Sequence, residues 1–235
     1  MNSAQDPVTF ARFRITREVL GLLKDRELDP LLLGALESLL GQGFDDEQSF
    51  LKAIFDLDPA PQSDEYAATI LRCADSRFRR AAKLLERAYR RHMRGKLIEA
   101  IWLYKRSIEL FPTAEAHTFL GWAYSFQNRY AEAIEECERA ILADSDFGNP
   151  YNDIGSYLIA LERLDEAIPW LLKATEAKRY EPRHFPWANL GRVYELQGDW
   201  EKALESYVKA HEIEPSYEYA VKSIERLCGP PELLN

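Results

Sequence analysis

Three glycines stand in one local frame: Leu120-Gly121 followed by Tyr124, Ile154-Gly155 followed by Leu158, and Leu190-Gly191 followed by Tyr194, spaced 34 and then 36 residues apart. A period of that length limits the fold to repeated supersecondary units. Each unit is too small to bury its own apolar face and must stack on its neighbours. Every copy also holds an alanine in its second half, at Ala133, Ala167 and Ala203. Small residues are needed where two helices cross closely, because a larger side chain would push the backbones beyond the 8–10 Å at which ridges and grooves mesh.

The last copy is the fullest: Trp187, Leu190, Gly191, Tyr194, Ala203, Tyr207 and Pro215 fall at the spacing W-x2-L-G-x2-Y, A-x3-F, P. This pattern resembles the tetratricopeptide repeat, as do its sisters with His117, Leu120, Gly121, Tyr124, Ala133 and Cys137, and with Tyr151, Ile154, Gly155, Leu158, Ala167 and Leu171. The resemblance implies an all-α fold, a right-handed superhelix of helix-turn-helix pairs, with repeats at about 81–113, 114–147, 148–181 and 184–217. The first copy is degenerate: Gly95, Ala100, Tyr104 and Pro112 fit its turn and second helix, but Arg87, Ala88 and Arg91 occupy the preceding frame. Residues 216–228 read as a capping helix, and Cys228-Gly229-Pro230-Pro231 stops it before a tail at 229–235.

Residues 1–62 form a separate helical region, with patterns at Thr9–Leu23, Leu31–Leu40 and Asp45–Leu57. Gly34, Gly41, Phe44 and Pro59 approximate the repeat frame, whereas Glu47 and Ile54 break it, so this is either a degenerate repeat or an unrelated hairpin. The solenoid then spans 63–228. From Ser63 to Arg94 the pattern fits one long helix or one with a bend at Asp75-Ser76.

The resemblance also implies a concave face lined by the first helix of each pair. It places Tyr89, Trp122, Phe126, Asn149, Asn152, Phe185 and Arg192 there as candidate partner contacts, the aromatics as anchors and the polar groups as hydrogen-bonders to a peptide. Trp122 has a second reading, burial against the next repeat. The chaperone-binding members of the family grip a C-terminal carboxylate with Lys and Asn in slots that here hold Leu85 and Tyr89, or Thr118 and Trp122, so chaperone tails are not the expected partner. Of an asparagine ladder known in a neighbouring subset, only Asn189 stands in the matching slot. Between the third and fourth copies, Lys178 to Pro186 makes a longer connection; it is either a solvated loop or a ligand contact through Arg183, His184 and Phe185.

Charge narrows the partners. Residues 81–113 hold 8 basic and 3 acidic residues, and residues 114–235 hold 12 and 22, within a chain of net charge −9. Nine Lys or Arg fall between Arg77 and Lys96 with one acid, Glu86. They either dock an anionic partner or ring a solvated helix. The acidic remainder would repel phosphates within a Debye length, which argues against nucleic acid. No apolar segment is long enough to span a membrane, so no membrane partner is expected. Cys73, Cys137 and Cys228 form no C-x-x-C pair, which suits a reducing cytosol. His92, His117, His184 and His211 are scattered over different repeats, so no catalytic residue, metal ligand or cofactor site is expected. The reading is a non-catalytic adaptor for a protein or extended peptide; the alternative is an oligomeric assembly subunit pairing through its end repeats.

Overall fold

The computed structural model describes residues 13–14, 34, 38, 43–44 and 64–229, with side chains described in the long segment from residue 76 onward. Two short strands, β1 (Phe13–Arg14) and β2 (Gly43–Phe44), pair antiparallel with Phe13 opposite Phe44. This corrects the helical reading of Thr9–Leu23 at residues 13–14. Phe13 is followed in sequence by Ile15 and Thr16, strand formers by their χ1 stiffness, and Gly41 and Gly43 weaken any helix opposite. Gly34 and Ser38 are helical. The remaining residues of the three amino-terminal helical patterns, and the degenerate-repeat reading of that region, lie outside the described residues.

From Asp64 onward the described chain is helical: α1 (Asp64–His92), α2 (Leu97–Leu110), α3 (Ala114–Ser125), α4 (Tyr130–Ala143), α5 (Asn149–Ala160), α6 (Leu164–Glu176), α7 (His184–Gln197), α8 (Trp200–Ile213) and α9 (Glu218–Cys228). α1 runs through Asp75-Ser76 without interruption.

One turn is used four times. Gly95, Asn128, Glu162 and Gly198 all take left-handed backbone, with φ of 71°, 57°, 59° and 79°. The next residue then accepts the first bond of the second helix from a repeat alanine: Ala100 to Lys96, Ala133 to Arg129, Ala167 to Arg163 and Ala203 to Asp199, at 3.0 to 3.2 Å. An i,i+3 ion pair follows in each case, with Lys96–Glu99, Arg129–Glu132 and Arg163–Glu166 in one sense and Asp199–Lys202 in the other. The degenerate first copy thus turns as the others do.

Two compact units are distinguished, residues 1–124 with 142–144, and residues 125–141 with 145–235. In the first, Ala81, Leu85 and Ala88 of α1 and Ala100, Leu103 and Tyr104 of α2 are buried. The hydroxyl of Ser107 donates to the Ala81 carbonyl at 2.8 Å, and Phe78 meets Phe111 edge-on at 5.4 Å. Tyr124 and Gly121 are buried within α3.

In the second unit the repeat signature sits at the helix crossings. Ala133, Ala167 and Ala203 are fully buried. A methyl group at Gly155 would overlap the Leu171 side chain, and one at Gly191 would meet the Tyr207 ring at 2.7 Å. Trp187 is half-buried beside Ala188, Ala210 and Ala220, with the Lys209 ammonium 4.6 Å from its ring centroid. Tyr194 is half-buried under Lys202, and Pro215 lies exposed just past α8. The 178–186 connection folds back on the unit: Arg179 bridges Phe147, with Gly148 donating to the Arg179 carbonyl at 3.0 Å, while Tyr180 is buried.

Candidate functional site

The second unit offers one continuous row of first-helix residues, carried by α5, α7 and α9. Asn189 of α7 donates from Nδ2 to Oδ1 of Asn152 on α5 at 2.9 Å, so the ladder position in α7 is bonded to its neighbour. Asp153, next to Asn152, is pushed up to about 7 by burial, against the opposing hydrogen bond from Asn152. Asn149 is half-buried at the start of α5, where Pro150 fills the first turn without needing a donor. Arg192 is exposed one turn beyond the buried Ala188; Phe126, just past α3 and outside this row, is 58% exposed.

At the far end of the row Glu195 is occupied. Its carboxylate accepts from the Tyr207 hydroxyl at 2.9 Å and from the two terminal guanidinium nitrogens, Nη1 and Nη2, of Arg226 on α9. The Arg226 bonds hold Glu195 below the usual carboxylate range. The Phe185 and His184 rings meet at a tilt, 4.2 Å apart; Tyr217 meets Phe185 edge-on at 5.5 Å and His184 at a tilt at 4.7 Å, and Tyr219 continues the aromatic row. Arg183 does not project from the connection: its guanidinium donates to the carbonyls of Thr175 and Ala177 at 3.1 and 2.7 Å, satisfying the end of α6.

α9 is more than a cap. Tyr219 and Arg226 stand 34 residues after Phe185 and Arg192, in the same repeat positions, and Arg226 reaches Glu195 of the preceding first helix. Sequence reasoning that stops at Pro215 misses them, although extending the period by one more copy finds them.

In the first unit Tyr89 and Trp122 belong to a second aromatic row. Tyr89 meets Phe119 at 5.4 Å, Trp122 lies 4.2 Å from the His92 ring, and Tyr104 stacks on Phe119 at 6.2 Å. Trp122 and Tyr89 are half-buried. His92 is buried, which pushes it down to about 4, so it is neutral at pH 7.

Among the described residues no group of three or more His, Cys, Asp or Glu could hold a metal ion, and no helix is long and apolar enough to cross a membrane. Cys137 is buried, which pushes its thiol up, and Cys228 is exposed; both are free.

Tetratricopeptide repeat family models match residues 114–147, 149–180 and 185–217. Over 101 residues the chain is 30% identical to the type IV pilus assembly protein PilF of Pseudomonas aeruginosa PAO1, a stretch covering 43% of this chain and 40% of that protein. The chain therefore spans about two fifths of the length of that curated relative. The solved structure of P. aeruginosa PilF matches with a TM-score of 0.62 at 23% identity, over 65% of this chain and 69% of that one. MamA matches at 0.52 with 26% identity over 60% and 81%, and PilW, a type IV pilus biogenesis factor, at 0.59 with 18% identity over 63% and 68%.

Proposed function

We propose, from the premise that the chain belongs to the tetratricopeptide repeat family, that it is a non-catalytic adaptor which holds an extended segment of a partner protein on the first-helix face of α5, α7 and α9. The observation that carries this reading is the combination on one face of fixed and open groups. Asn152 is bonded to Asn189 and Glu195 to Arg226, and Arg192 stands exposed on α7 between Asn189 and Glu195. A preorganised polar row with exposed anchors binds at low ordering cost, because few rotamers remain to be frozen. In the first unit, taken by itself, Tyr89 and Trp122 are the candidate anchors. Chaperone tails, which the family grips with a Lys/Asn set that this chain lacks, are not the proposed partner, and neither are nucleic acids. The free cysteines suit a reducing compartment, and we place the protein in the cytoplasm.

The test is affinity capture from the source lysate with wild type and with Asn149→Ala/Arg192→Ala. The account expects one captured protein and a loss of roughly 2 kcal/mol or more in its affinity for the folded double variant. Unchanged affinity would remove this face from the function.

A second reading is an assembly subunit, favoured by the name of the 30% identical relative, a pilus assembly protein. It predicts a stable oligomer in light scattering, where the adaptor reading predicts a monomer until the partner is added.

A further inference from the structure

α1 differs from the other first helices in what its repeat positions carry. In α3 the third, seventh and tenth positions are Ala116, Leu120 and Ala123; in α5 they are Pro150, Ile154 and Tyr157; in α7 they are Pro186, Leu190 and Val193. All nine are buried. In the second unit α7 is packed against α6, the second helix of the preceding repeat, and Tyr157 of α5 faces Tyr130 of α4 at 6.0 Å. The same positions in α1 are Lys83, Arg87 and Arg90, and all three are exposed.

With Arg80 these residues make a stripe. At about 100° per residue the four fall within an arc of about 80°, opposite the face that buries Ala81, Leu85, Ala88 and His92, and they extend over about 15 Å of helix. Part of the basic excess of α1 has a local explanation. Arg90 pairs with Glu86 at 2.9 Å and Arg91 with Glu99 at 3.3 Å, and both stand in the last turn, where cations complement the helix dipole. Neither reason applies to Arg80, Lys83 and Arg87. They lie mid-helix, and among the described residues no carboxylate is paired with them.

We propose that this stripe is a second docking surface, and that its occupant is an acidic amphipathic helix of a partner protein, lying on α1 as α6 lies on α7. A helix is the fitting occupant because this is the face that takes a helix elsewhere in the same chain. It is acidic because the stripe is wholly basic, and Asp or Glu residues spaced three and four apart repeat at the same rise as Arg80, Lys83, Arg87 and Arg90. The narrowness of the stripe argues against a lipid surface or a duplex. Either would bring a broad anionic face within about 8 Å, the Debye length, of a chain whose net charge is −9.

The test uses a synthetic eighteen-residue (~27 Å) helical peptide with Glu at alternating three- and four-residue spacing beside a leucine flank. Its controls are a scrambled peptide of equal composition, vesicles of phosphatidylcholine with phosphatidylglycerol, and duplex DNA, each titrated against the full chain by fluorescence anisotropy or co-sedimentation. The expected result is at least tenfold tighter binding of the patterned than of the scrambled peptide, weakening as salt rises. Lys83→Glu/Arg87→Glu should lose at least tenfold, while Arg192→Ala is without effect. If the charge-reversed protein loses helicity, Lys83→Gln/Arg87→Gln serves instead, with a smaller loss expected. Equal binding of both peptides, no binding, binding indifferent to both variants, or tighter binding of vesicles or DNA through the same residues would overturn the proposal. So would self-association of the chain that the reversal abolishes, since the occupant would then be a second copy.

Discussion

Gly191 packs so closely under Tyr207 that its size is a matter of atoms, not of family likeness. Tyr207 is fully buried and bonded to Glu195, so its ring has nowhere to retreat. Gly191→Ala should therefore lower stability by about 1–3 kcal/mol through overpacking, even though alanine gains about 1 kcal/mol in helix propensity. Ala167→Leu should do the same, and chemical denaturation reads both; a stabilised Gly191→Ala would remove the crossing from its assigned place. Two buried ionisable residues make stability depend on pH with opposite signs. His92 is neutral in the fold, and its folded value of about 4 lies below the ordinary 6.5, so its unfolded form binds protons in that window and stability falls as pH drops through it. The loss reaches about 2 kcal/mol at pH 5, and His92→Gln should flatten that limb of a stability-versus-pH curve. Asp153 is raised to about 7, above its ordinary 3.8, so the folded state binds the extra proton and stability is lost as pH rises between these values. Asp153→Asn should consequently stabilise by up to about 4 kcal/mol at pH 8 and by little at pH 4, a difference that thermal melts at the two pH values resolve.

At the scale of elements, the left-handed turn is the unit that repeats most faithfully. Glycine fills it at Gly95 and Gly198, asparagine at Asn128, but Glu162 holds a conformation that costs a side chain with a Cβ about 1 kcal/mol. Glu162→Gly should raise the melting temperature by relieving that strain, and an unchanged or lower value would deny it. The repeat pairs were legible because Gly155, Gly191, Ala167 and Ala203 must be small where helices cross, a demand that leaves a mark in any copy. The first copy was harder to read, since Arg87 and Arg91 replace the frame; only Gly95 betrayed its turn. The strand at Phe13–Arg14 was not legible, because two residues set no period and their pairing partner lies thirty positions away. Of the candidate contacts, the slots of Asn152, Arg192 and Phe185 could be read from the frame. The bond of Asn152 to Asn189 could not, because it depends on how two helices approach.

Over the whole molecule, charge and apolar exposure divide the labour among surfaces. The basic residues gather on α1 and the acidic excess in residues 114–235, while the first-helix face of the second unit carries amides, aromatics and the exposed Arg192. Such a division suits a protein that holds partners by shape and directional bonds; the second-helix surface of α8 exposes Glu201 and Glu205 together with Trp200. The claim that binding runs through the first-helix face is tested most directly by photocrosslinking. A photoreactive residue is placed at position 192 in one variant and at position 205 in another, each is irradiated in the source lysate, and the adducts are identified. The account predicts a single partner joined from 192 and little from 205; the same partner joined from 205 and not from 192 would contradict it.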